Sequence, residues 1–118
     1  MRYLLLIYLD EQALDDQERE HCYEESIQLT HELAANGNFL ATAPLHPTST
    51  ATSVRIREGK RLVMDGPFAE TREQLGGYFL VQAKDLDEAI GIAAKVPSAR
   101  LGTIEVRPVM EMGAPATT

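Results

Sequence analysis

Residues 2–9 (RYLLLIYL) are apolar without a break after Arg2. A strand with one wet face alternates, so a run that does not alternate is expected to be buried on both faces. A helical pattern follows. Asp15 offers an N-cap, and Glu18 three residues on has the form of a capping box. From there to Asn36, Tyr23, Ile27, Thr30 and Ala34 are spaced on one weakly apolar stripe, with Ser26 and Leu33 beside them. Asn36-Gly37 supplies the stop. Phe39–Leu45 reads as a second strand, ended by Pro44 and Pro47. Thr52–Arg57 alternates, Glu58-Gly59 makes a turn and Arg61–Met64 returns, which predicts a hairpin. Asp65–Gly77 reads as a loop with one helical turn around Thr71–Leu75, and Tyr78–Ala83 as another dense apolar strand. Asp85 caps a second helix with the stripe Leu86, Ala89, Ile90, Ala93, Val96, stopped by Pro97. Thr103–Met110 closes the domain, and Gly113–Thr118 is expected to be a disordered tail.

The order is β-α-β, a hairpin, then β-α-β. With the hairpin treated as an insertion this is the split βαβ, ferredoxin-like pattern, an α+β fold with both helices on one face of an antiparallel sheet. Two strands that are apolar on both faces then leave one sheet face needing a cover. A second copy of the sheet is the simplest, giving a homodimer in the form of a dimeric α+β barrel.

At 118 residues the chain has room for one domain, expected over residues 1–112. No stretch is apolar for about 18 residues, which argues against a membrane span. The first strand lacks a small-residue cleavage site, so a cytoplasmic protein is the expectation. The net charge of −7 argues against nucleic acid as a partner. The charge is uneven. Eight carboxylates lie between Asp10 and Glu25 with one base, Arg19, whereas Arg55, Arg57, Lys60 and Arg61 face a single acid, Glu58. Arg55 and Arg57, with Arg61 on the returning strand, form a candidate fork for a small anionic molecule or for the acidic helix of a second subunit.

The lone Cys22 excludes an intramolecular disulfide, and its carboxylate-rich surroundings argue against a nucleophile. His21 and His31 do not share a helix face, so no metal site is expected, nor is a cofactor. His31 is expected in the core, and His46, at a strand end, facing a cleft. Asp65 to Thr71 (DGPFAET) is the most unusual stretch: Asp65 is a candidate general acid or base at a cleft mouth, with Phe68 packed inward beside it. Glu70 and Glu73 lie close by, and Gly76-Gly77 marks a close backbone approach or a hinge.

The segment DGPFAETREQLGGYFLVQAKDLDEAIGIAAKVP, with RYLLLIYLDE before it and GTIEVRPV after it, resembles the YCII-related family in its DGPF-type subgroup. The resemblance covers nearly the whole chain. It implies a ferredoxin-like fold and a dimeric α+β barrel, and a His-Asp pair in a cleft as the proposed active site. It also implies a setting beside extracytoplasmic-function sigma factors, where a non-catalytic partner or adaptor is the alternative to a small-molecule enzyme or ligand-binding protein. The implied histidine lies eleven residues before the helix-ending glycine. Counting back from Gly37 gives Ser26, so that half of the pair is missing, while Asp65 matches the DGPF aspartate.

Overall fold

The computed structural model describes residues 1–113, so apart from Gly113 the expected tail lies outside the described residues. The strands are β1 (Arg2–Leu9), β2 (Phe39–Pro44), β3 (Thr52–Arg57), β4 (Lys60–Asp65), β5 (Gln74–Gln82) and β6 (Thr103–Pro108); the helices are α1 (Asp16–Ala35) and α2 (Leu86–Lys95). Short 3-10 turns cover Thr48–Thr50 and Pro97–Arg100.

Four strands form one antiparallel sheet in the order β2-β5-β1-β6. β1 and β2 thus run parallel with β5 between them, joined through α1. β5 and β6 are joined through α2 around β1. Each is a split βαβ unit, so the α+β chain is compatible with a ferredoxin-like fold. β3 and β4 form a separate two-stranded sheet, and each makes extensive contact only with the other. They project as an arm. Its turn places both Glu58 (φ 52°) and Gly59 (φ 73°) in the left-handed region, the geometry whose twist matches paired strands.

The helices start where the chain supplies side-chain acceptors. Asp15 accepts from the Glu18 N–H at 2.8 Å while Glu18 reaches back to the Asp15 N–H, and Asp85 accepts from the Glu88 N–H at 2.9 Å. Tyr3, Leu5 and Ile7 of β1 and Phe79 and Val81 of β5 pack against Leu29 and Leu33 of α1 and Ala89, Ile92 and Ala93 of α2. The alternate residues Leu4, Leu6, Tyr8, Tyr78 and Leu80 occupy the other sheet face, half-buried by one another.

Three expectations are corrected. The buried stripe of α1 is Cys22, Leu29 and Leu33, with Ser26 half-buried on the same line, one residue round from the expected one. Tyr23 and Ile27 are exposed, and so is His31, which the rotation carries out of the core. In α2, Ile92 replaces Leu86 and Ile90 on the buried side for the same reason. The expected helical turn around Thr71–Leu75 is absent, because β5 already begins at Gln74 and pairs with Leu9.

Candidate functional site

A cleft of about 580 Å³ opens between α1 and the β2 side of the sheet, within the usual range for small-molecule sites. Its floor is Ile7, Leu9 and Phe79, with Thr42, Ala43 and Pro44 from β2. Its other wall is one flank of α1: Arg19, Tyr23, Ser26, Ile27 and Thr30. These positions share a stripe at about 100° per residue, next to the buried one. The helix therefore carries two stripes, an apolar one for the core and one for the cleft in which Tyr23 and Ile27 alternate with polar residues.

Two glycines shape the floor. Ile7 pairs with Gly77 and Tyr8 with Leu75, so Gly76 is the extra residue of a bulge, and its carbonyl accepts from the Leu45 N–H at 2.9 Å. A Cβ on Gly77 would stand 3.0 Å from the Ala43 carbonyl oxygen and 3.3 Å from Pro44 Cα. The close-approach reading of this glycine pair therefore holds at Gly77.

The segment Leu45–Pro47 forms the rim. It is held by Glu11, whose carboxylate accepts the Thr48 N–H and hydroxyl. The Glu11 N–H in turn donates to Gln74 Oε1 at 2.9 Å, and Gln74 Nε2 donates to the Thr71 carbonyl at 2.6 Å. Thr42 donates its hydroxyl to the Tyr78 carbonyl and Thr30 to the Ser26 carbonyl. Arg19 is paired with Asp16. Among the described residues the side chains of His46, Ser26 and Tyr23 make no hydrogen bond within the chain. The Cys22 thiol lines the cleft on its buried side. Burial pushes its pKa up, Glu25 and Glu18 add to the rise, and Arg100 opposes it. A thiol held neutral is a poor nucleophile.

Of the residues singled out from the sequence, His46 lines the cleft. Asp65, Phe68, Arg55 and Arg57 lie on the arm or the loop after it, and none of them lines it. The Asp65 carboxylate is exposed and accepts no hydrogen bond from the described residues. The corner beside it is held by the main chain instead, with the Gly66 N–H on the Ala51 carbonyl at 2.7 Å and the Ser53 hydroxyl on the Gly66 carbonyl at 2.8 Å. Phe68 is 77% exposed, not packed inward, because the loop leaves the base of an arm that has no core of its own. Register also corrects the fork. Arg55 and Arg57 share a face with Lys60, which pairs with Arg57, whereas Arg61 pairs with Ile56 on the opposite face. No group of three or more His, Cys, Asp or Glu among the described residues is placed to hold a metal. No described helix is long and apolar enough to cross a membrane.

The family model for the YCII-related domain matches residues 1–113. The chain belongs to the YCII-related family. It is 37% identical over 114 residues to an uncharacterised protein of Rhizobium meliloti (strain 1021), covering 92% of each chain. That similarity over nearly full length supports the same family for both. Ser26 stands in the wall of the cleft.

Proposed function

We propose that this YCII-related protein is a homodimer whose cleft between α1 and the sheet binds a small molecule. Its ligand has an apolar body and one polar or anionic group. The observation that carries this reading is the state of the polar side chains in the cleft. Thr30, Thr42, Glu11, Gln74 and Arg19 are bonded within the protein, which leaves His46, Ser26, Tyr23 and the Ser98 hydroxyl to meet a ligand across largely apolar walls. Burying an apolar body there is favourable by about 25 cal/mol per Å², and one hydrogen-bonding group fixes its orientation.

The arrangement favours binding over catalysis. Asp65, which the resemblance pairs with a histidine, is on the arm, and no carboxylate among the described residues forms an ion pair with His46. The homodimer reading rests on the sheet face of Leu4, Leu6, Tyr78 and Leu80, which no element among the described residues covers. The DGPF-type subgroup, drawn from residues 65–68, the dimeric barrel and a cytoplasmic location belong to the same proposal. A second reading, an adaptor in an extracytoplasmic-function sigma-factor system, draws on the exposed apolar residues of the arm, Val54, Ile56, Val63 and Phe68.

A thermal-shift series with short aliphatic and aryl carboxylates tests the ligand reading. A ligand that binds only the folded protein raises the midpoint, by about 2.7 kcal/mol of stability at one hundred times its Kd. The rise should vanish in Ser26→Phe, which fills the cleft. The matching alcohols and amides complete the series, and if none of these compounds moves the wild-type midpoint the ligand reading falls.

A further inference from the structure

We infer that the β3–β4 arm docks on helix α1 of a second copy of this chain, along the helical wall of its cleft. The inference goes beyond ligand binding and rests on the homodimer proposed above.

Among the described residues the arm packs extensively on nothing but itself. Six residues per strand give it a reach of about 20 Å, and an isolated two-stranded hairpin is marginal in water unless something packs on it. It carries a net charge of +2 in a chain of −7. Among the described residues none of Arg55, Arg57, Lys60 and Arg61 pairs with a carboxylate; the Arg57 guanidinium donates only to the adjacent Ile56 carbonyl. The face holding Arg55, Arg57 and Lys60 also holds Leu62 and Met64, both exposed. It is a cationic and apolar surface at once.

Helix α1 presents the complement. Glu20, Tyr23, Glu24 and Ile27 are spaced i, i+3, i+4, i+7 and lie on one exposed stripe. Glu20 and Glu24 carry no ion pair among the described residues, unlike Asp16 and Glu25, which are bound to Arg19 and Arg100. Tyr23 and Ile27 are 45% and 58% exposed and line the cleft. An arm set on this stripe brings Arg55 and Arg57 to Glu20 and Glu24, and Leu62 to Tyr23 and Ile27. Two-fold symmetry makes the contact reciprocal, so both arms are seated at once. The second copy then completes the outer wall of each cleft, which a single chain leaves open above Ile27.

The test uses two charge reversals, Arg55→Glu/Arg57→Glu and Glu20→Lys/Glu24→Lys, each measured alone and mixed in equal amounts by sedimentation velocity. All four residues are exposed, and circular dichroism checks the fold of each variant. Each variant alone sets like charges against one another in both contacts, and should weaken the dimer by about tenfold or more. In the mixture both contacts are again opposite in charge, so a dimer of one chain of each kind should return. Dimers of wild-type strength from either variant alone, or a mixture no tighter than its components, overturn arm docking while leaving the sheet-face homodimer intact. A wild-type protein that sediments as a monomer overturns both.

Discussion

Thr48 donates its backbone N–H to Glu11 Oε1 and its hydroxyl to Glu11 Oε2, both at 2.9 Å. This pair of hydrogen bonds from one residue to one carboxylate ties the segment after β2 to the end of β1. Between its two anchors runs the rim that carries His46. Charge-assisted hydrogen bonds are stronger than neutral ones, and leaving the Thr48 N–H unpaired adds a cost. Glu11→Ala should therefore lower stability by about 1–2 kcal/mol in urea unfolding. Hydrogen exchange should quicken at Leu45 and Thr48 and stay slow in β1. Unchanged exchange at Thr48 would show that other contacts hold the rim.

Gly102 follows the 3-10 turn that ends α2, and a Cβ there would collide with the backbone of Tyr8 and stand 2.9 Å from Leu9 Cδ2. Gly77 is less severe, with its nearest atom at 3.0 Å. Gly102→Ala should cost on the order of 2–3 kcal/mol and Gly77→Ala roughly 1 kcal/mol, in proportion to the overpacking each imposes. Thermal unfolding of the two variants side by side checks the ranking. The reverse order would mean that the β1 end yields more readily than the β2–β5 junction.

Cys22 links the site to pH. Its thiol pKa is raised in the folded chain, chiefly by burial, so folding favours the neutral form. The stabilising contribution is complete below the unfolded thiol's pKa of about 8.5 and is lost as pH rises through the higher folded value. Wild-type stability should thus fall more steeply above about pH 8.5 than that of Cys22→Ala. Reaction with a disulfide reagent should be slow at neutral pH and quicken only in the alkaline range. Fast labelling at pH 7 would contradict the burial.

Signals that act over three or four residues were legible in the sequence. The caps at Asp15 and Asp85 and the turn at Glu58-Gly59 depend on local hydrogen bonding and backbone freedom, and all three are present as read. The α+β order also followed from the spacing of apolar runs. The cleft was harder to see. Helix α1 has two overlapping stripes, and Tyr23 and Ile27 look as suitable for a core as Leu29 and Leu33. Only the position of β2 decides which stripe is covered by the sheet and which borders a void. His46 is legible because it sits at a strand end between two prolines, Pro44 and Pro47, where a rim forms. For Phe68 the sequence offers only a large apolar group beside a Gly-Pro turn, which predicts inward packing, and with it a cleft beside Asp65. Here the turn follows an arm with no core, so there is no apolar surface for Phe68 to meet.

At the base of that arm, Ala51 and Gly66 are joined by a main-chain bond and Ser53 is fastened to the Gly66 carbonyl. Everything beyond this neck can change length without disturbing the four-stranded sheet. The pleat nevertheless restricts which lengths are useful. Adding one residue to each strand between the neck and the Arg55–Leu62 pair would turn Arg55 and Arg57 over to the opposite face. Adding two would restore their direction and carry them about 7 Å farther out. Relatives whose arms differ by an even number of residues per strand can keep the same charged side outward. Odd differences require the sequence pattern of the arm to be rewritten.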